Sequence, residues 1–388
     1  MATVTSDTLD QEPQLKYTLE QLLKVMVDKG ASDVHISAGS PPLLRIDGSV
    51  HRLNLAPLTP GETRLLCYSV ISEEQRATFE SKHELDFSFP IPNVSRFRAN
   101  LFLQRGTVAG VFRQIPFKIL SFDELRLPEV VSDIAKKPRG LVLVTGPTGS
   151  GKSTTLASII DKINAEERLH IMTVEDPIEY LHSSRLSIVN QREVGSDTKS
   201  FQDSLKSALR QDPDVIQIGE MRDAETIDIA LKAAETGHLV VSTLHTKDAT
   251  NTVARLISAF PPEEQETVRY RLGDALHAVI SQRLLPRKGV RGRALAAEIM
   301  LMTSTVRDCV IDPERTAEIR DHIAAGRDVY GTQSFDQHLA DLVQAGLVEF
   351  GVARAAATNP GDFELKARLS EGGGGAGSGT MDGLTTGY

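Results

Sequence analysis

Gly146-Pro147-Thr148-Gly149-Ser150-Gly151-Lys152-Ser153 has the residue types and spacing that hold a polyphosphate. Its glycines let backbone N–H groups turn inward around phosphate oxygens, and the positive end of a following helix, which Thr154 continues, adds to that field. Lys152 is the cation for the β- and γ-phosphates of ATP, and the Ser153 hydroxyl is the ligand for Mg²⁺. Hydrolysis further needs a group that orients or deprotonates the attacking water. Two acid clusters are placed for it. Glu220 follows the apolar run Val215-Ile216-Gln217-Ile218, and Glu175 opens Glu175-Asp176-Pro177-Ile178-Glu179. The first suits a water-positioning carboxylate, the second the water shell of the metal. His238 and His245 bracket the next apolar run. A neutral imidazole there can hydrogen-bond a γ-phosphate, and a capping or core histidine accounts for either position equally well. Arg96, Arg98, Arg105 and Arg113 lie earlier, on strand-like stretches, where arginines act as fingers on transition-state charge or simply face water.

The elements that must position these groups follow from periodicity. Leu141-Val142-Leu143-Val144 is short and wholly apolar, as a buried parallel strand would be, and Leu156, Ile159, Ile160 and Ile163 then fall at helical spacing. Strand and helix continue to alternate through the runs ending at 175, 218 and 243, with helices around Phe201, Leu205, Ala208 and Leu209 and around Ile227, Leu231 and Ala234, which predicts parallel crossovers in an α/β sheet. Beyond it, Val253, Leu256, Ile257 and Phe260, then Val268, Leu272, Ala275, Leu276 and Val279, predict helices with little strand signal. The first block differs. Leu19, Leu22, Leu23 and Met26 predict a helix, Asp47-Gly48 between apolar stretches a hairpin, and 97–104 and 108–115 further strands, giving a small α+β domain. The expected organisation is a polar arm at 1–16, an N-terminal domain at 17–115, a linker at 116–138, the ATPase domain at 139–368 and a glycine-rich tail at 369–388, the ends being too polar or glycine-rich to order.

Composition narrows the class. The 388 residues carry 43 Lys+Arg against 52 Asp+Glu, a net charge of −9, which argues against bulk nucleic acid as the main partner. Cys67 and Cys309 alone cannot build a disulfide framework, and no apolar run of 18 residues or amino-terminal signal pattern is present, so a cytoplasmic protein without direct membrane insertion is expected.

In order, GPTGSGKST, TVEDPIEY, LRQDPDVIQIGEMRD and GHLVVSTLHT resemble the Walker A, Asp box, Walker B and His box of secretion ATPases. Within that superfamily the chain is most similar to the retraction ATPases of type IV pili, the PilT family. SDVHISAGSPPLLRIDGSVHRL resembles the opening of that family's PAS-like N-terminal domain, RFRANLFLQRG its arginine-bearing strands, and ISQRLLPR and AAATNPGDFELK its C-terminal segments. The resemblance spans about residues 17 to 368. It implies a RecA-like core with a PAS-like N-terminal domain and helical C-terminal elements. It further implies Lys152 and Ser153 on ATP and Mg²⁺, Glu175 as the Asp-box acid, Glu220 as the catalytic glutamate, His238 and His245 at the active-site edge, and Arg98 and Arg113 as arginine contacts to nucleotide. Family members are homo-hexameric rings with ATP between N-terminal and ATPase domains. They work at the inner-membrane base of the pilus on a platform protein, some beside a paralogous pilus ATPase.

One stretch departs from the family. Where retraction ATPases often carry Ala-Ile-Arg-Asn-Leu-Ile-Arg-Glu, this chain has Thr305-Val306-Arg307-Asp308-Cys309-Val310-Ile311-Asp312. A PilU-like accessory ATPase therefore stands beside the retraction motor as an alternative. So do two readings of other classes. A nucleic-acid translocase would want a basic, aromatic-lined groove, yet Trp is absent and aromatics are 5% of residues. A nucleotide-gated scaffold would bind ATP with negligible turnover. Assembly ATPases usually add a four-cysteine zinc motif that two cysteines cannot make.

Overall fold

The computed structural model describes residues 15–46, 48–92, 94–115 and 118–372. Residues 1–14 of the expected arm (1–16), Asp47 of the hairpin, Pro116 and Phe117 of the linker and residues 373–388 of the expected tail (369–388) lie outside them. Contacts divide the chain into two units. One holds the residues up to Ile119 with Asp176–His182 and Glu193–Asp197, and the other holds Leu120–Glu175, Ser183–Arg192 and the residues from Thr198 on.

In the first unit, Thr18 caps the helix Leu19–Asp28 with a reciprocal Gln21 bond, and Leu19, Leu22, Leu23 and Met26 form its buried stripe. Six antiparallel strands follow: β1 (Asp33–Ile36), β2 (Leu43–Ile46), β3 (Ser49–Arg52), β4 (Glu84–Ile91), β5 (Ser95–Gln104) and β6 (Thr107–Ile115). Their spatial order is β3-β2-β1-β6-β5-β4. Phe79, Phe97, Leu101 and Phe112 fill the core against that helix. Arg105 is not on a strand. It and Gly106 form the two-residue turn between β5 and β6 with φ of 50° and 75°, the backbone twist that a tight hairpin of this hand requires.

The second unit is a seven-stranded sheet built from β7 (Gly140–Thr145), β8 (His170–Glu175), β9 (Ile188–Glu193), β10 (Val215–Ile218), β11 (Leu239–Leu244), β12 (Leu276–Pro286) and β13 (Arg293–Leu301), in the order β13-β12-β7-β11-β10-β8-β9. β12, β7, β11, β10 and β8 run parallel, with β13 antiparallel on β12. The expectation of little strand beyond residue 244 is corrected here. The helix Gln265–Ala275 stops one residue before β12, so Leu276 and Val279 are strand residues. The cause is burial on both faces. Ile280, Ala297 and Ile299 enter the core beneath the sheet, while Leu285, Ala294 and Ala296 pack with Phe335 and Leu339 of a later helix. A strand covered on both sides loses its alternation. Helices then dominate as expected, to Pro360–Gly372, which runs into the first residues assigned to the tail.

The β12–β13 hairpin also carries a titratable group that the sequence did not single out. Glu298 is 5% exposed and accepts the Ala249 N–H at 2.8 Å. Burial first, with the Asp248 carboxylate adding to it, pushes the Glu298 carboxyl up to about 7 from 4.5, against the opposing Ala249 bond and Arg283. The folded state therefore keeps a proton that the unfolded chain has lost. Stability should fall as pH rises through this window, by on the order of 1–3 kcal/mol. Glu298→Gln, neutral throughout and still an acceptor for Ala249, is expected to melt several degrees above the native protein at pH 8 and close to it below pH 5. Thermal melts at both pH values check this, and an equal offset at both would contradict it.

Candidate functional site

β7 is buried along its whole length and delivers the chain to Gly146 at its C-terminal end. Gly146 has φ 144°, and a Cβ there would stand 2.5 Å from the Gln282 carbonyl oxygen, so only glycine fits this turn. The loop ends at Gly151, with φ 90°, which opens the helix Lys152–Glu166 without any side-chain cap on its first amides. Uncapped amides at a helix start are the donors an anion needs. Lys152 is 8% exposed, and its ammonium donates to the carbonyl oxygens of Gly146 at 2.9 Å and Pro147 at 3.1 Å. The Ser150 hydroxyl is buried without a hydrogen-bond partner, an unmet polar group inside the loop. Pro147, Thr148 and Gly149 are exposed along the loop, while Ser153 and Thr154 are half-buried in the first turn of the helix.

β12 buttresses this loop through residues that sequence reasoning missed, because they fall in the segment read as helical. Gln282 donates to the Thr155 hydroxyl at 2.7 Å, Thr145 donates to the Ser281 hydroxyl at 2.8 Å, and Arg293 of β13 reaches the Gly149 carbonyl at 3.2 Å. The only signal in the sequence was the polar pair Ser281-Gln282 inside an apolar run.

Glu220 lies two residues beyond β10, whose parallel neighbour β11 separates it from the loop strand β7. Its turn is fixed by Gly219 N–H on the Val174 carbonyl at 2.8 Å and by Thr243 Oγ on the Gly219 carbonyl at 2.7 Å. The Glu220 carboxylate is 15% exposed, pairs through Oε1 with Arg222, and places Oε2 3.5 Å from His245 Nε2. Glu175 closes β8, is 6% exposed, and accepts from Thr173 Oγ at 2.7 Å and Gln191 Nε2 at 3.1 Å. The loop, Glu220, Glu175 and His245 thus all lie at the C-terminal edge of the parallel strands, where open α/β sheets hold their ligands. His238 does not. It precedes β11, whose Leu239 pairs with Gly140 at the start of β7, whereas Leu244 pairs with Thr145 beside the loop. The length of the strand separates the two histidines, and His238 Nδ1 is engaged by the Ala233 carbonyl at 2.9 Å, as a structural capping residue would be.

In the first unit, Arg45, Asp33, Arg113, Arg98 and Ser88 form one cross-strand row over β2, β1, β6, β5 and β4. Asp33 is 2% exposed and accepts from Arg113 Nε at 2.7 Å, which aims that guanidinium. Arg98 and Arg113 line a cavity of about 180 Å³ with Pro177 and Tyr180. Arg96 is held otherwise, on the Ser88 hydroxyl and on Glu193 at 3.4 Å, so it is committed to structure.

A glycine loop between a buried parallel strand and an uncapped helix, with carboxylates at neighbouring strand ends, defines a phosphate-loop nucleotide-binding α/β protein. The chain belongs to the type II/IV secretion system protein family, whose model matches residues 7–359. It is 48% identical over 345 residues to the type IV pilus retraction ATPase PilT of Pseudomonas aeruginosa, covering 89% of this chain and 99% of that one. A twitching motility protein of Neisseria gonorrhoeae is 45% identical over 345 residues, with 89% and 92% covered. The type IV pilus ATPase PilU of P. aeruginosa is 40% identical over 350 residues, with 90% and 91% covered. A crystal structure of the pilus retraction motor PilT with bound ADP superimposes with a TM-score of 0.84 at 46% identity, covering 90% of this chain and 100% of that one.

Proposed function

We propose that this protein is an ATP-hydrolysing motor that powers type IV pilus retraction and hence twitching motility. The observation that carries the reading is the loop Gly146–Ser153, with Lys152 buried in it and Glu220 at the end of a neighbouring parallel strand, in a chain 48% identical to a retraction ATPase along nearly its whole length. ATP sits with its phosphates on the loop amides and on Lys152. Glu220 orients the attacking water and takes its proton, and His245, whose Nε2 is 3.5 Å from that carboxylate, keeps it directed. The hard oxygen donors of Ser153 and Glu175 suit Mg²⁺, the hydroxyl as ligand and the carboxylate toward its water shell. When bound, that ion neutralises charge on the β- and γ-phosphates. Arg98 and Arg113 act on the nucleotide as the charge-neutralising arginines, with Asp33 fixing the second of them. His238 is left out of the catalytic set, on its placement at the far end of β11.

The domain plan, 17–115 and 139–368 joined by 116–138, is kept as part of the proposal. So are a homo-hexameric ring, a pilus platform protein as the partner, a paralogous pilus ATPase as a second one, and the cytoplasmic face of the inner membrane at the pilus base as the place of work. Among the described residues no helix is long and apolar enough to cross a membrane. Deletion of the gene is expected to leave cells with more surface pili and no surface crawling, scored by microscopy and motility plates. Loss of pili would mark an assembly motor, and unchanged pili and crawling would overturn the reading.

A further inference from the structure

Cys309 lies outside the phosphate site, and the phosphate chemistry makes no use of it. The cysteine lies on the helix Ser304–Ile311 and is fully buried. The chain then turns through Thr316–Glu318 into the helix Ile319–Ala325, which brings Glu318 and His322 one helical turn apart on a common face. Cys309 Sγ is 3.9 Å from Glu318 Oε2, and His322 Nε2 is 3.8 Å from the same oxygen. The three ligand atoms lie within 4.8 Å of one another, and among the described residues no other set of three His, Cys, Asp or Glu does so.

A second observation is independent of that spacing. His322 Nε2 is buried and makes no hydrogen bond. A buried ring nitrogen without a partner is a cost to the fold, and one reason to keep it is an ion that fills the gap. The outer contacts hold the turn in place: Arg269 Nη1 donates to the Val310 carbonyl at 2.8 Å and to Thr316 Oγ at 3.1 Å, and Thr316 Oγ donates to the Cys309 carbonyl at 3.2 Å.

We propose that Cys309, Glu318 and His322 form a zinc site that ties the helix Ser304–Ile311 to the helix Ile319–Ala325 and leaves a fourth position open. Thiolate, imidazole and carboxylate together are the ligand set of tetrahedral zinc, whose ligand atoms stand roughly 3.3–3.6 Å apart given its bond lengths. The 3.8 and 3.9 Å separations from Glu318 need a contraction of a few tenths of an ångström, and the Cys309–His322 separation, within 4.8 Å, must close by at most about 1.5 Å. Binding exchanges the Cys309 S–H bond for an S–Zn bond and releases the proton to solvent. Arg315 Nε also sits on Glu318 Oε2, at 3.1 Å, and must yield that oxygen. Both partners are over a third exposed, so solvent screens that pair and it gives way readily to a bound metal ion.

Cobalt(II) titrated into metal-stripped, nucleotide-free full-length protein tests the site, because a bound thiolate gives a charge-transfer band in the near ultraviolet. The expected result is one equivalent of tightly held cobalt with that band, displaced by zinc. Cys309→Ser should abolish the band and Cys67→Ser, altering the only other thiol, should leave it. His322→Gln, at a partly exposed position that tolerates change, should weaken affinity at least tenfold, and zinc should raise the melting temperature of the native chain but not of Cys309→Ser. Absence of the band from the native protein, its survival in Cys309→Ser, or its loss in Cys67→Ser overturns the proposal.

Discussion

Glu220→Gln is expected to stop ATP turnover while leaving ATP binding within a few-fold of native. The amide matches the carboxylate in shape, and the Gly219 and Thr243 bonds that fix the turn do not involve the side chain, so the site keeps its form. What disappears is the basic oxygen. General-base assistance is worth about 10²–10⁴ in rate, or roughly 3–5 kcal/mol of barrier. In the resting geometry Arg222, itself 70% exposed, pairs with Glu220 Oε1 and must turn away before that oxygen can take a proton. Phosphate release measured beside binding of a fluorescent ATP analogue separates the outcomes. Turnover within about threefold of native would assign the base elsewhere. Near-background turnover in both proteins would point to a nucleotide-gated scaffold.

The part of the site that is contiguous in the chain was legible in the sequence. Gly146–Ser153 is read in one stretch because a phosphate loop is a local structure, and the apolar runs before Glu175 and Glu220 mark buried strands whose ends are fixed by their neighbours. Relations that depend on strand direction were less visible. His238 and His245 flank one run symmetrically in sequence, and only the parallel pairing of β11 with β7 puts them at opposite edges of the sheet. Long-range pairs were invisible: Asp33 aims Arg113 across 80 residues of chain, and Gln282 braces Thr155 across 127. Period failed at β12 for a physical reason. Leu272, Ala275, Leu276 and Val279 are spaced as one face of a helix, but the chain changes from helix to strand between the second and third of them. The segments 176–182 and 193–197 cluster with the first unit although they fall inside the second in sequence, an arrangement that composition along the chain does not encode.

Lys152→Ala is expected to remove both nucleotide binding and turnover, which separates it from Glu220→Gln. The ammonium is nearly buried and donates to the Gly146 and Pro147 carbonyl oxygens, which holds it inside the loop where the phosphates would lie. A triphosphate offers it full counter-charge, and each charge-assisted bond is worth about 1.5–3 kcal/mol, so loss of two such bonds weakens ATP by on the order of 10²–10⁴. The fold should hardly register the change, since the residue buries a cation whose desolvation offsets much of what its bonds return. The melting temperature without nucleotide should therefore stay within a few degrees of native, while the upward shift that ATP gives the native protein vanishes. Should the alanine variant still bind and cleave ATP at native levels, the amides and lysine of this loop are not a triphosphate site, and the motor reading falls with them whatever Glu220 does.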